Sequence, residues 1–273
     1  MYYPILKQEM SVAEEVLTIE SGFLEREVTV TLLIPEGFGD LGKINLLLLN
    51  DGQELENLQL KPTLEKLQSN GQISPVLVAA IHANEERQQE YGAAGIPDFK
   101  GRGSKAAAYT SFITQELVPK LQEFVGTISF DKVAYAGFSL GGLSAVDIAW
   151  NNPELFDRVG AFSGSFWWRS KDLNDGYDSE QDRIMHKMIR QKQHRPDLKF
   201  WFQTGTKDET MDRNGNFIID SIDDTIDLIK TLENKGYNRP TDIQYVEIVN
   251  GKHNTETWAA AMPKFLVWAF SSK

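Results

Sequence analysis

The chain has 273 residues, 41% of them hydrophobic, with 39 acidic against 28 basic side chains and a formal net charge of −11. That negative excess argues against nucleic-acid binding, which needs a concentrated basic surface, and against attraction to anionic membranes. There are no cysteines, so disulfides, thiolate metal sites and a cysteine nucleophile are excluded.

Residues 1–10 (MYYPILKQEM) lack the basic stretch followed by an apolar core that marks an export signal. The longest apolar runs, 46–49 and 76–81, are too short to span a bilayer. The expectation is a soluble cytoplasmic protein with neither membrane nor nucleic-acid partner.

Residues 15–20 and 25–34 are rich in β-branched side chains and flank Ser21-Gly22, so they read as two strands joined by a turn. Residues 44–50 (INLLLLN) form a near-continuous apolar run. A strand covered on both faces looks like this, which places it inside a parallel sheet. A helix follows, with Pro62 in its first turn and Leu64 and Leu67 on one face. Residues 75–82 read as the next buried strand. The polar, Gly-rich stretch 83–103 reads as a long functional or flexible loop.

A helix is predicted over 104–124, with a kink or break near Val118 because Pro119 lacks an N–H. Further strands are predicted at 132–138, 159–163, 199–204 and 242–249, the last nearer a sheet edge. Helices are predicted after residue 139, at 179–191, at 221–235 and from Thr255 onward. No repeat or linker interrupts the series. The expected fold class is α/β, with a mostly parallel central sheet flanked by helices and antiparallel strands at its N-terminal edge. We expect one domain over 1–273.

The chemistry centres on Gly137-Phe-Ser139-Leu-Gly141-Gly142, a G-x-S-x-G-G sequence between a predicted strand and a predicted helix. Such a turn lifts a serine hydroxyl clear of the sheet and needs residues without bulk two positions before and after it. G-x-S-x-G alone arises by chance in roughly one chain in ten of this length at ordinary Gly and Ser usage. A plain Gly-rich turn, or one that binds a phosphate at the helix N-terminus, is the alternative.

A serine nucleophile requires an acid and then a histidine after later strands. Asp208, with Glu209 as runner-up, follows the strand ending at Thr204. His253 follows the strand ending at Val249 and is the one histidine after both serine and acid. His186 and His194 lie in polar sequence and read as solvated, whereas His82 precedes the serine. The order Ser139, Asp208, His253 is that of the α/β-hydrolases. The oxyanion would be held by the amide of Leu140 and by Gly52 or Gln53, after the early buried strand.

These residues resemble a family. Gly137–Ala145, Pro153-Glu-Leu-Phe156 and Ser163-Gly-Ser-Phe-Trp-Trp168 are similar to the enterochelin esterase and esterase D group of serine esterases. So are Leu49-Asn-Asp51-Gly52-Gln53, Arg87-Gln-Gln-Glu90-Tyr91, Glu116-Leu-Val-Pro119 and the stretch from Gly251-Lys-His253 through Trp258. The resemblance implies an α/β-hydrolase fold, esterase activity on a small-molecule ester, the same three triad residues and no required cofactor. It also implies that Arg87 lines the substrate side of the cleft. Trp167, Trp168 and Trp258 are further lining candidates, each set against core packing as the default.

One motif stands apart. From Asp212 to Asp223, oxygen side chains fall at positions 1, 3, 5, 9 and 12 of an EF-hand-type loop, with Phe217 where the turn calls for Gly. Structural Ca²⁺ is one reading. The favoured one is a polar turn capping the following helix through Ser221 or Asp220. The functional expectation is a serine carboxylic-ester hydrolase working through an acyl-enzyme, with acyltransferase or non-catalytic binding protein as alternatives. Acyl group, alcohol and oligomeric state are not legible in the sequence.

Overall fold

The structure, a computed structural model, describes residues 10–40 and 42–272. The export-signal reading rests on residues 1–10 and, apart from Met10, lies outside them. β1 (Val12–Ser21) and β2 (Arg26–Pro35) form an antiparallel hairpin in register from Val12↔Pro35 to Ser21↔Arg26. β3 (Lys43–Asn50), β4 (Val76–Ile81), β5 (Ser129–Phe138), β6 (Arg158–Phe162), β7 (Lys199–Lys207) and β8 (Ile243–Lys252) complete an eight-stranded sheet. Its order is β1-β2-β4-β3-β5-β6-β7-β8. β2 pairs antiparallel with β4, and every pair from β4 to β8 is parallel.

The apolar run of β3 explains its place at the centre. Leu46 and Leu48 enter one core with Tyr109, Phe112, Val146 and Trp150, while Leu47 and Leu49 enter another with Leu64, Phe162, Trp201 and Phe265. Alternate side chains of one strand thus bury on opposite faces, and both faces need a helical layer. The helices supply it: α1 (Leu60–Ser69), α2 (Arg87–Glu90), α3 (Ala106–Ser111), α4 (Val118–Val125), α5 (Leu140–Asn151), α6 (Ser179–Asp182), α7 (Ile184–Gln191), α8 (Asp220–Asn234) and α9 (Thr255–Phe270). Residues of α1 and α9 belong to the second core, and those of α3, α4, α5, α7 and α8 to the first.

Three expectations change. The irregularity expected near Val118 in the 104–124 helix is present, but as a π-helical stretch ending at Leu117 rather than as a break made by Pro119. That stretch, Phe112–Leu117, lies between α3 and α4, and Pro119 stands in the first turn of α4, where its missing N–H costs least. The loop 83–103 is partly packed. Trp168 fills the space left by Gly92 and Gly103, and its Nε1 donates to the Ile96 carbonyl at 3.2 Å. His186 is fully buried rather than solvated: it lies on α7 with Nε2 2.9 Å from the Asp224 carbonyl, and burial pushes its pKa down to about 3. The hydrophilic neighbours of His186 hid an amphipathic helix whose inner face carries Ile184, Met185, Met188 and Ile189.

Candidate active site

Four residues stand in a row at the carboxyl edge of the sheet. Ser139 follows β5, Ser163 follows β6, Asp208 follows β7 and His253 follows β8. The sheet register sets their spacing. Phe138 pairs with Phe162, so Ser139 and Ser163 leave adjacent strands side by side. β7 and β8 run farther than the sequence suggests, through Gly205 and Gly251. After a register shift beyond Gly205, Lys207 pairs with Lys252, and Asp208 and His253 emerge together. A Cβ on Gly205 would collide with the Gly251 backbone, so the shift depends on that position being bare.

The turn at Ser139 is tight. Ser139 has φ 54° and ψ −120°, a conformation L-residues avoid at a cost of about 1–3 kcal/mol. A Cβ on Gly137 would strike the Gly141 backbone, and one on Gly142 would crowd the Gly137 carbonyl and Ala161. The Ser139 amide donates to Phe162 O at 2.9 Å, and its carbonyl accepts from Ser165 N at 3.1 Å, which pins the turn to the loop after β6. Below it, Asn50 Nδ2 donates to Gly141 O at 2.8 Å while Asn50 Oδ1 accepts from Tyr109 and Tyr135. The end of β3 is thereby tied to the elbow.

Ser139, Leu140, Asp208 and His253 line one cavity of about 400 Å³, together with Arg87, Trp167 and Glu209. Ser139 Oγ lies 3.3 Å from Ser165 Oγ, and no hydrogen bond joins it to His253 among the described residues. Such contacts are often loose before substrate binds. Burial lowers the His253 pKa from its ordinary 6.5, the Asp208 charge pulls it back up, and Arg87 pushes it down. Asp208 is raised, chiefly by burial, although Gly205 N donates to its Oδ2 at 3.0 Å. The hydroxyls of Ser163 and Ser221 favour its ionised form, but no hydrogen bond of full geometry reaches buried Oδ1. Glu209 is also raised by burial, and it does not figure among the charges that act on His253.

Arg87 reaches the cavity as an anchored group. Its Nε and Nη2 donate to Asp51 at 2.6 and 2.8 Å, and the guanidinium lies 4.9 Å from the centre of the Tyr91 ring. Trp168 is corrected: it is buried in the core, and its neighbour Trp167 forms the cavity wall. The cause is the glycine-lined slot that admits the Trp168 ring. Gly52 and Gln53 line a separate cavity of about 380 Å³ with His82 and Thr31. Only Leu140 of the three oxyanion candidates therefore shares the cavity of Ser139. Ser163, Ser165, Gln88 and Ser221 receive no role at the site from sequence, whereas Trp167 is among the lining candidates. A signal for Ser163 existed: it ends the strand next to the elbow's own.

The Asp212–Asp223 loop is closed on itself. Asp212 accepts from the amides of Gly215, Asn216 and Phe217, and the Asn214 and Asn216 side chains donate to Asp223. Phe217 takes the turn with φ 68°, and no group of three or more His, Cys, Asp or Glu side chains placed to hold a metal occurs among the described residues. Neither Ser221 nor Asp220 caps α8; Ile219 precedes it, and Asp220 accepts from Arg213 N.

Comparison with known proteins agrees with this architecture. A family model described as "Putative esterase" matches residues 21–269. "Uncharacterized protein YbbA" of Bacillus subtilis (strain 168) is 30% identical over 146 residues, 51% of this chain and 58% of that protein. YjcH of the same organism is 22% identical over 215 residues, 78% of this chain and 80% of its own length. Among solved structures, the enterobactin esterase FES of Shigella flexneri superposes with a TM-score of 0.70 at 18% identity, covering 94% of this chain and 59% of that one. A ferulic acid esterase gives 0.71 at 18% identity, covering 96% and 99%. The siderophore hydrolase EstB of Aspergillus nidulans gives 0.70 at 16%, covering 94% and 95%. The chain thus spans less than two thirds of YbbA and of FES, and the structural likenesses speak for the α/β fold. No helix among the described residues is long and apolar enough to cross a membrane. With its family model matched over nearly the whole length, the chain belongs to the esterase family.

Proposed function

We propose that the protein hydrolyses a small-molecule carboxylic ester through Ser139, His253 and Asp208. One observation carries this reading: the Lys207↔Lys252 register brings Asp208 and His253 out together into the cavity that Ser139 also lines. His253, held neutral by burial, takes the proton of Ser139 as Oγ attacks the ester carbonyl. Asp208 stabilises the imidazolium that forms. The Leu140 amide, at the N-terminus of α5, faces the developing oxyanion, and the helix dipole adds to its field. His253 returns the proton to the leaving alcohol. It then activates water, which releases the acid from Ser139. Nucleophile, base and oxyanion donor are all protein groups, so the reaction needs no cofactor, and we assign no Ca²⁺ to the 212–223 loop. We read the described residues as one α/β unit built around the single sheet.

The test is a fluorophosphonate probe together with hydrolysis of p-nitrophenyl acetate and butyrate. The reading expects a covalent adduct on Ser139 that Ser139→Ala abolishes and His253→Ala strongly slows, in parallel with ester turnover. An adduct and turnover unchanged in both variants would overturn it.

A further inference from the structure

Trp258 touches three of the four strand ends. Its ring stacks on Phe138, the residue before Ser139, with centroids 5.0 Å apart. It meets the edge of the His253 ring at 5.3 Å and 80°. Its Nε1–H donates to Ser163 Oγ at 3.0 Å in a buried setting. Ser163 thus has its oxygen engaged by the indole, which leaves its single hydroxyl proton to point elsewhere. Asp208 lines the same cavity, and its buried Oδ1 has no hydrogen bond.

The backbone at Ser163 sharpens the point. Its φ is 47°, a left-handed value that glycine would adopt at lower cost, and its amide is fixed by donation to Gln203 O at 2.7 Å. A strained serine with a buried side chain, one residue before Gly164, is explained by a use for its hydroxyl. From this geometry we propose that Ser163 and Trp258 form a positioning relay, in which Trp258 N–H orients the Ser163 hydroxyl toward Asp208 while the same indole braces the His253 ring. They act by fixing acid and base relative to Ser139, and the proposal rests on the esterase reading.

Ser163→Gly separates this role from a structural one, because it removes the hydroxyl and relieves the backbone. The relieved backbone offsets part of the loss of the Trp258 N–H acceptor, so the variant should fold with a Tm within about 2–4 °C of the parent's. Its kcat should fall roughly tenfold, the value expected for a hydrogen bond to a charged group, with KM little changed. Without the serine O–H dipole beside it, the ionised Asp208 carboxylate exerts a less offset field on His253. The His253 pKa, followed by NMR of the ring and by the acid limb of kcat/KM, should therefore rise by about half a unit. Trp258→Phe keeps a ring but loses the N–H, and should move kcat in the same direction. The double variant should lose less than the sum of the two, because both act through one chain; full additivity would count against the relay.

If Ser163→Gly keeps the parental kcat and His253 titration while Ser139→Ala is inactive, the relay is overturned and the esterase reading stands. Should Ser139→Ala remain as active as the parent, the reading itself falls and takes the relay's catalytic role with it. Trp258→Phe failing to fold would leave Ser163→Gly to decide.

Discussion

Two charged regions of the molecule lie close in sequence and behave oppositely. Behind the cavity, Asp224 of α8 is buried and doubly neutralised: Arg183 Nη1 donates to its Oδ1 at 2.7 Å, Arg213 Nη1 to its Oδ2 at 2.9 Å, and Arg213 Nη2 also reaches Oδ1. Arg183 further pairs with Asp227 at 2.9 Å. At the strand ends, Asp208 is buried with one oxygen bound to a single amide and the other without a hydrogen bond. The first carboxylate is satisfied and serves the fold. The second is raised by burial, which its few donors only partly offset, and its charge acts on His253. Burial alone does not mark a working carboxylate; incomplete satisfaction does.

The widest break in that comparison comes from removing each charge in turn. Asp208→Asn should cut kcat on the order of 10⁴-fold, since the imidazolium loses its counter-charge. The same change should raise Tm at neutral pH by about 1–3 °C. The sign follows from the raised pKa: burying this charge costs stability above the folded pKa, and the cost vanishes below the ordinary carboxylate value. The gain should therefore be present at pH 8 and absent near pH 3 in calorimetric scans. A fall in Tm at pH 8 would contradict it.

Asp224→Asn should do the reverse. The buried Arg183 and the half-buried Arg213 guanidinium groups would face a neutral amide, and stability should drop by about 3 kcal/mol or more in urea titrations. A drop below 1 kcal/mol would show that the cluster is not what holds α7 against α8. Gly205→Ala tests the link between sheet and site. Its methyl would push into the Gly251 backbone, costing about 1–3 kcal/mol by overpacking, and kcat should fall with the strand-end register. The smallest effect is electrostatic. Because Arg87 lowers the His253 pKa, Arg87→Gln should move the acid limb of kcat/KM upward toward 6.5, while Arg87→Lys should not. A downward movement would reverse the assigned sign.

Much of the site is local and therefore legible. G-x-S-x-G-G announces a turn because glycines are demanded within two residues of Ser139, and chain order then points to Asp208 and His253. Trp168 and Trp167 are different. They are neighbours of one type, and nothing in their sequence says which enters the slot between Gly92 and Gly103 and which faces the cavity. His186 misleads for a related reason: its polar neighbours are spaced to the outside of a helix, and the period is easy to overlook in eight residues. Gly52 and Gln53 follow the expected strand, yet Asp51, with φ 63°, turns the chain so that they line the cavity of His82.

By itself the sequence determined the α/β class, the central place of β3, and the candidate nucleophile, acid and base, because each follows from short-range demands of burial period and turn geometry. Only the tertiary structure decided how these groups meet. The Gly205–Gly251 approach sets the register that pairs Lys207 with Lys252, and Trp258 reaches across 95 residues to Ser163. Such contacts depend on which strands become neighbours, and no local pattern of residues encodes that.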